Sequence, residues 1–449
     1  MKRILLASLV FLALSGTALA QEFRTGYFLE NYSYAYRINP AAPIEGKPYF
    51  FGGIGLGNVS AEVHTNLSVP SFLTPLTFED GTSSLVLPLL RSEFSLEEAL
   101  AGFSVNNELL ANANVNLLTV GYQSDVSRWS VELNLRADAY AGMPLDIFSA
   151  LKTAQLNGIS DWHDRYSFAG FCLEADSYTE LALGYSRRIG DQLTVGGRVK
   201  GLFGLGYTGI NIDASIAPGV EKDVKLGLDA SLNVSSPVDM SLPTSTINGK
   251  RYYDFSQVDF ADFAVKNIFG TKKSLAGWGL GFDLGVTYEP IEGLYISAAA
   301  NDLGFLSWKG NVGAAWHIDS EIGEDWREFL RLEDTSGRFT SGLNYSINAG
   351  VKYKMPFYDR LSVGLLGTFQ KNYKEARLGI DITPLDFISI AATGAIGTMG
   401  GQFGAALNLK FPIVNFFIGT DAFLYNFTPE MIPLDKINTM ITTGLLIAI

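Results

Sequence analysis

Alternation of apolar and polar side chains, sustained over ten residues or more, is the feature of this sequence that most constrains its fold. Between Trp129 and Tyr140, every second residue from Trp129 to Ala139 is apolar, and the residues between them are polar or charged. Successive side chains of a β-strand point to opposite faces, so this pattern predicts a strand with one apolar and one polar face. The same alternation recurs in residues 193–207, 223–235, 277–288, 342–354 and 402–411.

These alternating runs indicate a membrane protein rather than a soluble sheet, because they are as long as the strands of about 9–11 residues that cross a bilayer. A soluble β-sandwich also alternates, but it turns its apolar face inward. The mean hydropathy is positive, at +0.16, yet no segment after the N-terminus has the roughly 18 consecutive apolar residues of a membrane-spanning helix. The other structure that satisfies every backbone polar group in a bilayer is a closed β-barrel. We therefore predict an all-β fold, a transmembrane antiparallel β-barrel.

The connections between the predicted strands alternate in length. Residues 188–192, 289–293, 355–360, 383–386 and 412–414 are short turns, whereas 235–277, 309–342 and 425–436 are long. Short turns at one rim and long extracellular loops at the other are typical of outer-membrane barrels.

Fifteen segments qualify as strands, although single-chain bacterial barrels have even strand numbers. We expect about fourteen, and the first segment is the weakest candidate because its sequence also fits an internal plug. The candidates are 49–63, 113–123, 128–140, 177–187, 193–207, 223–235, 277–288, 293–302, 342–354, 361–371, 375–383, 387–395, 402–411, 415–424 and 437–449.

The N-terminus is typical of an exported protein. Lys2 and Arg3 precede an apolar run, and Ala18-Leu19-Ala20 has the small residues of a signal-peptidase cleavage site. We predict that residues 1–20 are a signal peptide, cleaved after Ala20, which directs the chain toward the bacterial outer membrane.

The next segment, residues 21–48, has a different character from the strands. It is rich in aromatic residues, and its prolines lack the N–H group that a strand ladder requires. We expect this segment to be a plug near the periplasmic mouth of a barrel formed by residues 49–449. Its predicted functional residues are Arg37, Asn39, Pro40 and Ala41, with Arg37 reaching a lumenal charge such as Asp283 or Lys352.

The polar faces of the predicted strands carry charges of both signs in nearly equal number. This balance does not indicate an ion-selective pore, which would be lined by one sign of charge. Two interpretations stay open, a salt-bridged and plugged interior or a polar passage. The candidate lumen-lining or ligand-binding residues are Arg136, Arg198, Lys200, Asp229, Asp283, Lys352, Arg377 and Asp381.

The composition argues against several classes of function. The formal net charge is −13, opposite to the basic surface that nucleic acid requires. The single cysteine and three histidines lack the spacing of metal ligands, and no serine, histidine and carboxylate are arranged as in a hydrolase. We therefore expect no enzyme activity, no catalytic residues, no metal site and no cofactor.

The end of the chain predicts how the barrel is assembled. Thr442, Gly444, Ile447 and Ile449 follow the pattern of the terminal strand that the barrel assembly machinery recognises, although the usual last residue is aromatic. This machinery and the lipid of the outer membrane are the expected partners.

Two stretches carry a family resemblance. One is residues 32–41, which end in Asn39-Pro40-Ala41, together with the glycine-rich 52–60; the other is 277–288, with 301–308 after it. Together they resemble a family of Bacteroidota outer-membrane β-barrels classed as a domain of unknown function. The Asn-Pro-Ala sequence also resembles the start of the outer-membrane long-chain fatty-acid transporters, in which the preceding segment folds as a hatch inside a fourteen-stranded barrel.

This resemblance implies a barrel that binds or passes a hydrophobic or small solute across the outer membrane. The alternative is a non-transporting barrel that serves as a scaffold or partner in a cell-surface or secretion assembly, because proteins of that kind share the superfamily. Fold alone does not decide between them.

Overall fold

The computed structural model describes residues 23–44, 46–53, 57–77, 83–157, 165–218, 224–238, 242–254, 274–322, 332–423 and 436–449. The predicted signal peptide and its cleavage site lie outside the described residues.

Within these residues, fourteen antiparallel strands form a closed barrel, which confirms the predicted fold class and strand number. The barrel closes where the last strand pairs with both parts of the first, at Phe50 with Ala448 and at Val59 with Thr443. The strands are β1 (Tyr49–Gly53 and Val59–Ser68), β2 (Asn106–Gln123), β3 (Ser127–Pro144), β4 (Phe171–Ile189), β5 (Leu193–Pro218), β6 (Gly277–Tyr288), β7 (Leu294–Trp308), β8 (Phe339–Gly342 and Ser346–Lys354), β9 (Leu361–Gln370), β10 (Lys374–Leu385), β11 (Ile388–Gly397), β12 (Gly400–Lys410), β13 (Val414–Thr420) and β14 (Lys436–Ala448).

Of the fifteen candidate strands, residues 223–235 do not belong to the barrel wall, whereas the first candidate does. Residues 49–53 and 59–63 form part of β1, so the ranking of this segment as the weakest strand was wrong. β5 is 26 residues long, and β6 pairs with its first half while Val224–Ser235 pairs with its second half. Val312–Ile322 pairs with Val224–Ser235 on the other side. These strands extend the wall beyond the barrel, where the alternation continues.

The outer face of the barrel is apolar. Along β6, Trp278, Leu280, Phe282 and Leu284 are exposed, whereas Asp283 between them is fully buried. This distribution, with apolar side chains exposed and a carboxylate buried, is the reverse of that in a soluble protein. It is the arrangement that a lipid-facing barrel wall requires.

The two rims differ as the sequence predicts. Short turns join β2 to β3, β4 to β5, β6 to β7, β8 to β9, β10 to β11 and β12 to β13. The rim with short turns faces the periplasm in outer-membrane barrels, and we use that orientation below. Most connections at the other rim are long, but those from β9 to β10 and from β11 to β12 are also short.

The helices are short, and none of the described ones is long and apolar enough to cross a membrane. Leu96–Leu100 begins with a capping box: the Ser95 hydroxyl accepts from the Glu98 backbone N–H, and the Ser95 N–H donates to the Glu98 carboxylate, which lowers the pKa of Glu98. The α-helices are α1 (Ala35–Ile38), α2 (Val69–Phe72), α3 (Leu96–Leu100) and α4 (Leu145–Asn157), and the 3-10 helices are Arg24–Tyr27 and Pro88–Leu90. The remaining strands are Thr74–Thr77, Ser83–Val86, Tyr166–Ser167, Thr244–Ile247, Lys250–Tyr253 and Glu333–Asp334.

Candidate functional site

Residues 23–44, called the plug below, lie inside the barrel. Their aromatic side chains are buried, with Phe28 and Tyr34 at 1% and 0% exposure, and they pack against Phe417 and Leu446 of the wall. Burial of these rings removes a large apolar surface from water, which stabilises the plug without a strand ladder.

The plug descends, rises and descends again inside the barrel. It begins with Phe23 in the extracellular half, because the next two residues bind Asp421 beyond the end of β13. It reaches the periplasmic rim at Asn31, which Lys410 of β12 contacts. It returns to mid-barrel at Arg37 and leaves at Pro43, whose carbonyl accepts from Arg128. The sequence alone placed the plug near the periplasmic mouth. In the structure it extends from that mouth into the extracellular half of the barrel.

Three of the four predicted plug residues, Asn39, Pro40 and Ala41, lie together against β5 and β6. The Asn39 amide donates to the Thr287 hydroxyl at 3.0 Å, and its side-chain oxygen accepts from the Ala41 N–H at 2.9 Å. A side chain at Gly196 would meet the backbone of Pro40 and Ala41, so only glycine permits this close approach.

Arg37 contacts a different carboxylate from the one expected. Its guanidinium lies 3.3 Å from Glu132 and donates to Asn134 at 3.1 Å. Both partners belong to β3, so the expected contact with Asp283 or Lys352 was wrong. The path of the plug brings Arg37 to β3, and the Asp283 carboxylate is paired with Arg198 and Lys200 instead.

Four cations and four carboxylates form a buried network, the central cluster, in the described part of the lumen. Arg136 lies 2.8 Å from Asp302 and 2.9 Å from Glu180. Arg198 lies 2.7 Å from Glu132 and 3.1 Å from Asp283. The members are Arg37, Glu132, Arg136, Glu180, Arg198, Lys200, Asp283 and Asp302.

The central cluster brings together four of the predicted lumen-lining residues, Arg136, Arg198, Lys200 and Asp283. Asp302 did not stand out in the sequence. It lies where the register of β6 and β7 shifts, with a φ of 58°, and this irregularity turns its carboxylate toward Lys200 at 2.5 Å. Equal numbers of opposite formal charges balance one another in the cluster, so it lacks the one-signed lining of an ion-selective pore.

A second buried network, the upper cluster, anchors the start of the plug. It consists of Arg24, Glu62, His64, Glu375, Arg377 and Asp421. Arg24 pairs with Glu62 and lies 3.4 Å from both Glu375 and Asp421. The backbone N–H groups of Arg24 and Thr25 donate to the Asp421 carboxylate at 2.7 and 2.6 Å. Of this set, only Arg377 was among the predicted site residues.

The other predicted lumen residues lie apart from both clusters. Asp381 accepts from Ser389 at 2.5 Å, and Lys352 lies 4.0 Å from Glu30 of the plug. Asp229 belongs to the wall extension, where it is 71% exposed and contacts His317 at 2.6 Å. Its assignment to the lumen was wrong, because Val224–Ser235 is not a barrel strand.

An apolar cavity of about 850 Å³, the rim cavity, lies between the plug and the periplasmic half of the wall. Its apolar lining includes Tyr36, Ile38, Phe50 and Leu446, and it extends to the short turn at Phe411–Val414. No sequence pattern marked this cavity, since it is bounded by residues far apart in the chain. Among the described residues, no group of three His, Cys, Asp or Glu side chains is placed to hold a metal ion.

Comparison with known proteins identifies the family. Residues 40–421 match the family described as "Family of unknown function (DUF5723)". The chain belongs to that family. The match confirms the expected assignment to a domain of unknown function, and it begins within the plug at Pro40, so it includes most of the DUF5723 barrel.

Several solved structures resemble this DUF5723 chain weakly. The Ralstonia pickettii toluene transporter TbuX has 10% identity and a TM-score of 0.40, over 91% of this chain and 90% of its own. The Pseudomonas putida toluene transporter TodX has 10% identity and a TM-score of 0.40, over 92% and 93%. A Pseudomonas aeruginosa FadL homologue has 11% identity and a TM-score of 0.41, over 91% of each chain. No curated protein matches the sequence.

Proposed function

We propose that this barrel binds a small hydrophobic solute in the rim cavity and passes it across the outer membrane, with the plug as the barrier. The rim cavity supports the proposal most directly. Its volume, about 850 Å³, is within the range of about 300–1,000 Å³ that is usual for small-molecule sites. An apolar lining of Tyr36, Ile38, Phe50 and Leu446 suits an apolar ligand.

For a solute to pass, part of the plug has to move away from the barrel wall. The contacts between plug and wall differ in strength along the length of the plug. Removing one partner of a buried ion pair costs about 3–5 kcal/mol, whereas an exposed pair contributes about 0.2–1 kcal/mol. Arg24 and Arg37 are buried, but Glu30 and its partner Lys354 are 24% and 38% exposed. The plug is therefore held most weakly at the periplasmic rim, next to the cavity.

Filling the rim cavity tests the proposal. Ala448 lines the cavity and is half-buried, and Ala448→Trp places an indole in that space. We expect binding of the neutral dye N-phenyl-1-naphthylamine to the protein in nanodiscs, after subtraction of empty nanodiscs, to weaken about tenfold or more, equivalent to about 1.4 kcal/mol.

The matched control is Ile447→Trp, one residue away on the same strand and on the lipid-facing side. We expect it to bind the dye like the unmodified protein, since tryptophan suits the membrane interface. Absence of dye binding in every variant, with all barrels folded, would instead favour the scaffold function that the sequence left open.

A further inference from the structure

The lowest turn of the plug, Glu30–Asn31, is held by three lysines that also line the rim cavity. Lys354 lies 3.3 Å and Lys352 lies 4.0 Å from the Glu30 carboxylate. Lys410 donates to the Asn31 side-chain oxygen at 2.6 Å. The positive groups at this end of the cavity are thus occupied by oxygen atoms of the protein's own plug.

The turn has a left-handed backbone conformation. Asn31 has a φ of 60°, which asparagine adopts more readily than most other non-glycine residues. The amides of Asn408 and Asn415 donate to the Asn31 carbonyl at 3.4 and 3.1 Å. These polar contacts hold the turn at the wall, and they lie beside the cavity rather than in the buried clusters.

The lining of the cavity has an excess of positive charge. Its cations are Lys47, Arg128, Lys352, Lys354 and Lys410, and its carboxylates are Glu30 and Asp386. Arg128 is engaged by the plug, because it donates to the Pro43 carbonyl at 2.7 Å. Combined with the apolar interior, this charge suits a molecule with an apolar tail and a negatively charged head.

Access to the rim cavity differs between the two sides of the membrane. On the extracellular side of the cavity lie the plug and the buried ion pairs of the central and upper clusters. On the periplasmic side, the cavity extends to Lys47 and to the turns at Asp386 and Phe411. The periplasmic rim is therefore the shorter route into the cavity.

We infer that the rim cavity is loaded from the periplasmic side by an amphiphile with an acidic headgroup, which replaces the Glu30 carboxylate at Lys352 and Lys354. This inference rests on the proposed function and specifies the ligand class and the side of entry. The tail occupies the apolar cavity, and the headgroup competes with the plug for the same lysines.

Three probes separate the contributions of head and tail: decyl phosphate, decyl maltoside with the same tail but no charge, and inorganic phosphate. We expect decyl phosphate to bind most tightly to the protein in nanodiscs, measured calorimetrically against empty nanodiscs. Glu30→Gln removes the internal competitor, so it strengthens decyl phosphate binding about two- to five-fold, as expected for a partly exposed ion pair. Lys354→Met weakens it by a similar factor, and neither variant changes decyl maltoside binding.

Glu292→Gln is the matched control, because it removes the same charge from an exposed rim turn outside the cavity. We expect it to leave decyl phosphate binding unchanged. Equal binding of the two decyl compounds, with no effect of Glu30→Gln, overturns the acidic headgroup while the hydrophobic site remains. Binding of inorganic phosphate as tight as that of decyl phosphate overturns the amphiphile. Binding of no decyl compound overturns the proposed function itself.

The side of entry is tested by blocking each face of the barrel. A polyethylene-glycol maleimide on Lys47→Cys, in a Cys172→Ser background, places a polymer at the periplasmic end of the cavity. The same reagent on the native Cys172 places it on β4 at the extracellular end. We expect only the Lys47→Cys adduct to prevent decyl phosphate binding. Blockage by the Cys172 adduct instead would overturn periplasmic loading.

Discussion

Leu284→Arg is expected to prevent normal assembly of the barrel. Leu284 lies in the middle of β6 and is 58% exposed on the outer face, opposite in direction to the buried Asp283. An arginine on the lipid face near the bilayer midplane costs about 2–4 kcal/mol, and near the interface about 0–1 kcal/mol. Heat-modifiable migration of the outer-membrane fraction on SDS gels measures the folded proportion.

Ile291→Arg is the matched control for this prediction. It introduces the same side chain in the short turn that follows β6, where Ile291 is 57% exposed. We expect this variant to assemble normally. If Leu284→Arg assembled as well as Ile291→Arg, the outer face of β6 would not be in contact with lipid acyl chains.

Arg136→Leu is expected to destabilise the folded barrel by about 3–5 kcal/mol, the usual cost of removing one partner of a buried ion pair. The substitution leaves Asp302 and Glu180 buried with only Lys200 and Arg198 to compensate them. Urea unfolding in detergent micelles, followed by tryptophan fluorescence, measures the change.

Arg360→Leu is the corresponding control, since Arg360 pairs with Asp386 at the rim, where both side chains are exposed. We expect a change of about 1 kcal/mol or less in the free energy of unfolding. Equal effects of the two substitutions would mean that the central cluster is open to water.

The alternation of side chains was sufficient to predict the barrel and much of its interior. Since each strand has a period of two, Arg136, Arg198, Lys200 and Asp283 had to share the inner side once the apolar residues between them were assigned to lipid. A separate pattern, at Thr442, Gly444, Ile447 and Ile449, indicated the last strand, which closes the barrel in the structure. These inferences depend on local sequence only.

The periodicity could not determine where the membrane ends or which charges pair. The alternation of β5 continues past the barrel, so Val224–Ser235 and Asp229 were mistaken for parts of the lumen. Arg24 binds Glu62 and Asp421, which are 38 and 397 residues away in the sequence. Such contacts depend on barrel closure and on the path of the plug, and neither is encoded in a local pattern.

The rim cavity was unpredictable for the same reason. Tyr36 of the plug, Phe50 of β1 and Leu446 of β14 meet there only because the first and last strands pair. Aromatic content and prolines indicated that the segment before β1 is buried. They did not indicate that it leaves a space unfilled beside the wall.

Planar-bilayer conductance tests most directly whether residues 23–44 close the lumen. The change is deletion of residues 23–42, with folding of the barrel checked by heat-modifiability. We expect conductance to rise well above that of the intact protein, because the deletion removes the buried side chains that fill the lumen, among them Phe28 and Tyr34. Unchanged conductance in a folded barrel, together with ready proteolysis of residues 23–44 in the intact protein, would contradict the plugged lumen.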